Sequence, residues 1–222
     1  MKNVLVTGGA GYIGSHVCKC LFNNGFLPIV LDNLILGHKW SVKWGPLEVG
    51  STIDMNCLDQ VFSKYNFDGV IHLAALSNVA ESYIKTEEYY ENNLVGTLNL
   101  LKTMVKFNVK KIVFSSTCSV YGIPKIIPIP ETHNTNPINP YGESKYASEK
   151  MIDYFSLAYD IDFISLRYFN VSGSDKDYEI GEAHSPETHI IPLALEVASG
   201  RSTHFAINGG DYETLDGTCI RD

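Results

Sequence analysis

The feature that most constrains this chain is a glycine spacing, Gly8-x-x-Gly11-x-x-Gly14, that follows the apolar run Val4-Leu5-Val6. The run reads as a buried strand. Ile13, Val17, Leu21 and Phe22 then recur at helical spacing over residues 12–24, closed by Asn24-Gly25. Glycines at such a turn keep it tight, let backbone N–H groups approach a pyrophosphate, and let the helix pack close to the sheet. Asp32 follows Gly14 by 18 residues, at the end of the run Pro28-Ile29-Val30-Leu31, where a carboxylate can accept from a ribose 2′-hydroxyl. Glycines alone would serve equally in a plain packing loop. With the strand, the helix and Asp32 in place they point to dinucleotide binding. No Arg or Lys stands beside Asp32, where Asn33-Leu34 follow, so NAD is preferred to NADP.

Further apolar runs at residues 47–49, 69–74, 111–115 and 161–168 alternate with helical patterns at 54–65, 87–107 and 141–159. That alternation predicts an α/β fold, a Rossmann-like doubly wound parallel sheet, over residues 1–167. From about residue 168 the pattern fails. Residues 173–187 are polar and turn-rich, one helix follows at 189–199, and residues 168–222 read as an incomplete small substrate domain. On the long helix Leu94, Leu98, Leu101 and Val105 form a stripe that reads first as a core face.

Composition narrows the function classes. The 222 residues hold 17 Lys+Arg against 25 Asp+Glu, a net charge of −8 that repels phosphate and disfavours nucleic-acid binding by bulk charge. The apolar fraction, 45%, excludes a disordered chain. No apolar run reaches the roughly 20 residues of a membrane span, and the start does not read as a signal peptide. Five cysteines, an odd number with no CxxC pair, fit a reducing compartment, so a cytoplasmic location is expected. Cys18 and Cys20 read as packing residues, as do Trp40 and Trp44. The seven histidines show no metal spacing. His184 and His189, five apart, read as polar loop groups, and no metal is expected.

Tyr141 and Lys145 stand at i and i+4 at the start of a helix entered through Pro140, so they face the same way. An ammonium near a phenol favours phenolate, a base able to take a hydroxyl proton as hydride leaves the carbon. Read alone, Tyr-x-x-x-Lys is commonplace and more often a solvated helix face. Ser115-Ser116-Thr117 ends the preceding strand, and ligands of such sheets sit beyond the strand carboxyl ends. Thr117 could therefore bind the same substrate oxygen, or simply bond its own backbone.

Four motifs in order, Thr7-Gly8-Gly9-Ala10-Gly11-Tyr12-Ile13-Gly14-Ser15-His16, Ser115-Ser116-Thr117-x-x-Val120-Tyr121-Gly122, Pro140-Tyr141-Gly142-x-Ser144-Lys145 and Leu166-Arg167-Tyr168-Phe169-Asn170, resemble the extended short-chain dehydrogenase/reductase family. A fifth, Asp211-Tyr212-x-Thr214-x-Asp216-Gly217-Thr218-x-x-Arg221-Asp222, narrows the resemblance to members that epimerise UDP-hexoses. The resemblance implies reversible oxidation at C4 of a UDP-hexose through a 4-keto intermediate, with a retained NAD. Tyr141 would take the C4 hydroxyl proton, Thr117 would bind that oxygen, and Lys145 would lower the Tyr pKa and hold the nicotinamide ribose.

It also implies cofactor contacts from Tyr12, Ile13 and Asn33 near the glycine turn, and from Ser51, Thr52, Leu73, Ala74 and Ala75 at the next strand ends. Ser77, Asn92, Ser115 and Phe169 complete that set. Asn170, His189 and Arg221 would lie at the UDP-sugar. Ser77 replaces a Lys of some members, Ser51 an Asp that meets adenine, and Asn208 an aromatic near uracil. Members continue beyond residue 222, and the resemblance also implies a homodimer paired through the stripe helix. Two rivals stand beside this reading. One is another NAD-dependent nucleotide-sugar epimerase or dehydratase, although Cys118-Ser119 lack the acid such dehydratases carry. The other is a catalytically silent NAD-binding fragment.

Overall fold

The computed structural model describes residues 1–207 and 209–219. Six strands, β1 (Lys2–Thr7), β2 (Phe26–Asp32), β3 (Leu47–Val49), β4 (Gly69–His72), β5 (Lys111–Thr117) and β6 (Asp162–Tyr168), form one parallel sheet in the order β3-β2-β1-β4-β5-β6. The order turns back between β1 and β4, which pair from Val4 with Gly69 to Thr7 with His72. A crevice therefore opens at the carboxyl ends of those two strands. The expected fold class is the one observed.

Alternation along β1 sorts the core onto both faces. Leu5 joins Leu31, Val70, Ile112 and Phe114 against α2 (Met55–Lys64), α5 (Gly96–Lys106) and α6 (Pro140–Tyr159). Val4 and Val6 join Val30 and Cys18 under α1 (Tyr12–Asn23), with Val17, Leu21 and Trp44 packed alongside. Two sequence expectations are corrected here. Cys20 is exposed, because two steps along a helix turn it away from the face that buries Cys18. Trp40 is half exposed and stacks on His38 at 5.5 Å, so only Trp44 is a core residue.

The helix expected over residues 87–107 is not one α-helix. After the short α3 (Val79–Ile84), α4 (Thr86–Tyr89) passes into a π-helical segment, Tyr90–Val95, before α5. Its extra residue shifts the register, so Leu100, Leu101 and Met104 are buried while Leu94, Leu98 and Val105 are only half-buried. Asn93 explains the deviation. Its Oδ1 accepts from Leu76 N at 2.9 Å, and its Nδ2 donates to Leu76 O and to Ser144 Oγ at 3.0 and 3.1 Å. One buried amide thus ties the loop after β4 to α6.

Helix starts follow their capping residues. Asp54 Oδ1 accepts from Asn56 N and Cys57 N at 2.9 and 3.2 Å, and Asn139 Oδ1 accepts from Gly142 N at 2.7 Å ahead of Pro140 at N1. Asp54→Ala should cost about 1 kcal/mol. Thermal unfolding would then fall by about 2–4 °C, with nucleotide binding unchanged.

Candidate active site

The site is built where β1, β4 and β5 end. Gly8 has φ +71, and a Cβ there would meet Ala74 N at 2.7 Å, so only glycine fits between the β1 and β4 ends. A Cβ on Gly14 would overlap the Gly8 carbonyl oxygen, which lets α1 start directly on the turn. Gly11 is the N-cap of α1, without a side-chain cap and with no acidic residue in the first turn. That helix end carries partial positive charge and free N–H donors for an anion.

Asp32 is buried at the end of β2. Its Oδ2 accepts from Ala10 N at 3.0 Å and its Oδ1 from Leu34 N at 2.8 Å. The two amides hold the carboxylate in place and still leave lone pairs for a diol. A dinucleotide fits this cradle: glycine where side chains would fill it, donors at the helix end, and a fixed acceptor at the next strand end.

Thr117 closes β5 with 5% of its surface exposed, and its Oγ1 accepts from Ser119 N at 3.1 Å. The same side chain acts on the Tyr141 phenol. The backbone-capping reading of Thr117 is therefore realised, and its side chain also lies at the phenol. Burial raises the Tyr141 pKa above the ordinary phenol value, and Thr117 works in the opposite direction. Lys145, one turn further along α6, is 2% exposed, with Nζ 4.7 Å from the Phe114 ring centroid. Burial lowers its pKa to about 7, and the Glu149 carboxylate opposes that fall.

Glu149 is itself clamped. Arg167 Nε and Nη2 donate to its two oxygens at 3.0 and 2.8 Å, and the guanidinium lies 4.8 Å from the Tyr121 ring centroid. A lowered Lys pKa has a sign that can be checked. Between about pH 7 and the unfolded value near 10.4, the unfolded chain holds a proton that the folded chain lacks, so stability rises with pH across that window. Lys145→Met in nucleotide-free protein should flatten this rise, measured as denaturation midpoint against pH.

His72 escaped the sequence reading. It is buried at the end of β4, with Nδ1 2.6 Å from Thr7 Oγ1 and Nε2 2.9 Å from Thr97 Oγ1. The Thr97 hydroxyl proton is given to Asn93 O at 2.6 Å, so Thr97 must accept from His72 Nε2–H. Burial, with Lys145 adding to it, depresses the His72 pKa to about 3 and keeps the ring neutral. An isolated His after an apolar run gives no sequence signal of this bridge between β1 and α5.

The remaining expected residues differ in how they are placed. Leu73 N donates to Thr7 O and Ala74 N to Thr7 Oγ1, which puts both at the crevice, with the half-buried Ala75 next along the chain. Ser115 is half-buried on β5, and Asn92 Nδ2 donates to Asn93 Oδ1 at 3.0 Å. Asn33 Oδ1 accepts from Ile35 N and Ser51 Oγ from Ile53 N, so both are engaged in local turns. Thr52 is buried against Gly96, where a Cβ would approach its Oγ1 to 2.6 Å. Ile13 is half-buried on the first turn of α1, while Ser77, Phe169 and Asn170 are exposed. Arg221 and Asn208 lie outside the described residues.

The segment after β6 folds back onto the glycine turn. Tyr12 Oη donates to Gly173 O at 2.6 Å, and His38 Nε2 donates to Ala183 O at 2.7 Å. Lys19 on α1 reaches Asp175, Asp177 and Glu179 at 2.7, 2.7 and 2.8 Å. His189, expected at the substrate, stands just ahead of α7 (Ile190–Ala198), beside Glu182, His184 and Glu187. The two histidines that gave no metal spacing are thus neighbours in space, their rings 5.1 Å apart.

Residues 4–222 match the model of the NAD dependent epimerase/dehydratase family. The chain is 48% identical over 221 residues to a UDP-glucose 4-epimerase of Rhizobium leguminosarum bv. trifolii, covering all of this chain and 68% of that relative. It is 51% identical to one of Halalkalibacterium halodurans, covering 99% of this chain and 66% of the relative. The chain thus spans about two thirds of the length of these relatives. Its fold superposes with a TM-score of 0.93 on the Brucella ovis UDP-glucose 4-epimerase solved with NAD, at 46% identity, covering 99% of this chain and 67% of that one. The Bifidobacterium longum enzyme, solved with NAD+ and UDP, gives 0.94 at 39% identity, over 100% of this chain and 69% of that one. No helix among the described residues is long and apolar enough to cross a membrane.

Proposed function

Because the chain belongs to the NAD-dependent epimerase/dehydratase family, we propose that it interconverts UDP-galactose and UDP-glucose, with Tyr141, Lys145 and Thr117 as its working residues. The observation that carries this reading is the convergence of the Thr117 side chain and the Tyr141 phenol at the end of β5, with Lys145 buried one helical turn away. Its cofactor is NAD. Gly8, Gly11, Gly14 and the α1 amino end would hold the pyrophosphate, and Asp32 the adenosine ribose. When bound, NAD supplies a hydride acceptor that later returns the hydride.

Tyr141 accepts the O4 proton as the C4–H bond gives up hydride and the C4–O bond becomes a carbonyl. Thr117 donates to that oxygen and fixes its distance from the phenol. Lys145, its charge supported by the Glu149 carboxylate, favours the phenolate against the burial that opposes it. Return of the proton from Tyr141 to O4 completes the reaction after the 4-keto sugar has presented its other face. The absence of an acid at Cys118-Ser119 favours this over dehydration, which needs a further proton transfer.

Residues 1–167 would then carry the nucleotide, and 168–222, with Asn170, His189 and Arg221, the UDP-sugar side. Ser115, Asn92 and Phe169 would border the nicotinamide. A homodimer is part of the proposal, supported by the exposed Tyr154 and Leu157 on α6 and Val95 on the π-helical segment. So is a cytoplasmic location, which suits an odd number of cysteines with no CxxC pair. Incubating the protein with UDP-galactose should yield UDP-glucose and release nicotinamide nucleotide on acid treatment. NAD released without any product would instead favour a silent cofactor-binding role.

A further inference from the structure

The segment between β6 and α7 gathers four donors that the sequence spaces unevenly, Glu182, His184, Glu187 and His189. One ligand atom from each lies within 4.8 Å of the others. Glu182 Oε1 stands 3.2 Å from His184 Nδ1 and 2.8 Å from His189 Nδ1, and Glu187 Oε1 stands 2.8 Å from the same His189 Nδ1. We propose that this Glu2His2 cluster is a binding site for one divalent transition ion of the Zn2+ class, held by both Nδ1 atoms and the two carboxylates.

Three observations lead there. First, His189 Nδ1 faces two carboxylate oxygens at 2.8 Å, and a single N–H proton can be directed at only one. A cation among the donors satisfies both. Second, among the described residues no Lys or Arg pairs with these charges, although Glu187 Oε1 also accepts from Thr188 N and His189 N at 2.7 and 2.8 Å. The carboxylates of Glu182 and Glu187 are mostly buried, with side-chain exposures of 13% and 12%, and among the described residues only imidazoles form ion pairs with them. The neighbouring Asp175/Asp177/Glu179 group differs, since the Lys19 ammonium already sits among its oxygens. Two carboxylates with two neutral imidazoles carry a charge of −2, which a dication neutralises.

Third, the spacing suits the ion. Tetrahedral zinc, with Zn–N and Zn–O near 2.0–2.2 Å, places neighbouring donors about 3.3 Å apart. The three contacts of 2.8–3.2 Å need open by only a few tenths of an ångström, and the remaining donor pairs, all within 4.8 Å, must close to the same spacing. Two nitrogens and two oxygens are a donor set for zinc and its neighbours rather than for calcium or magnesium. Coordination through Nδ1 would also fix the His189 proton on Nε2 and lock the tautomer of the residue leading into α7.

The test is titration of metal-stripped, nucleotide-loaded protein with Zn2+, followed by calorimetry, and with Co2+, followed by its visible spectrum. One Zn2+ per chain should bind, and Co2+ should give four-coordinate bands without the charge-transfer band of a thiolate ligand. His184→Asn and Glu182→Gln should each weaken Zn2+ binding at least about 10-fold, which is the cost of losing even an outer-shell partner. Asp177→Asn should leave it unchanged. Bound Zn2+ should also slow proteolysis within residues 173–189 of the unaltered chain, a readout independent of any variant's folding. No binding by the unaltered chain overturns the proposal. So does equal binding by His184→Asn, or a thiolate band showing that the ion sits on cysteine.

Discussion

Replacing Tyr141 with Phe should slow C4 epimerisation by about 10²–10⁴-fold while NAD stays on the protein. The change removes one oxygen from a ring whose remaining atoms pack at the start of α6, where Tyr89 meets it edge-on at 6.4 Å. The fold therefore has little reason to respond. What is lost is the phenol on which Thr117 acts, and with it the proposed acceptor for the O4 proton. Turnover of the variant with UDP-galactose and its acid-released nucleotide separate the two effects. Near-normal turnover would reduce Tyr141 and Lys145 to a helix face. Loss of both turnover and nucleotide would make Tyr141 chiefly a binding residue.

Gly14→Ala should weaken NAD binding by about 10- to 100-fold. The added methyl is directed at the Gly8 carbonyl oxygen and lies 2.6 Å from the Gly9 Cα, so the opposing atoms are backbone and no side chain can swing aside. Either α1 moves off the sheet or the turn opens, and overpacking of this kind costs about 1–3 kcal/mol. Most of that cost should fall on the nucleotide, because the displaced atoms are those proposed to face it. Fluorescence titration with NADH, beside a thermal melt, would show whether binding or stability absorbs the strain. Gly25→Ala is the natural control: its Cβ meets nothing within 4 Å, so only the strain of φ +81 is added.

The parts of this molecule that were legible from sequence are those fixed by near neighbours. The glycine turn, Asp32, the Asp54 cap and the Pro140 entrance each depend on contacts a few residues away or on the strand–helix alternation, and each stands where the pattern put it. The Leu94–Leu98 part of the stripe failed for the opposite reason, whereas Cys20 simply lies on the other face of α1. Helical periodicity assumes 3.6 residues per turn throughout, and the π-helical segment breaks that assumption because Asn93 is held by Leu76 and Ser144, 17 and 51 residues away. An Asn among good helix formers was the one available hint, since its amide competes for backbone partners. His72 and the Glu182/His184/Glu187/His189 cluster were hidden similarly. Their meaning depends on which strand end or loop turn faces them, and spacing along the chain does not record that.

The clasp between Lys19 and the three carboxylates at 175–179 bears on timing. It fastens the segment after β6 to α1, the helix whose amino end is proposed to meet the pyrophosphate. A catalyst that takes a hydride and returns it to the same molecule gains nothing from rapid exchange of its dinucleotide. Residence time is then the property to preserve, and a charged latch beside the entrance lengthens it without tightening any contact to the ligand. Asp177 and Glu179 are exposed, so their pairing with Lys19 is screened as salt rises. Bound NAD should therefore exchange faster with free nucleotide at high ionic strength, and Lys19→Met should exchange it quickly at every salt concentration.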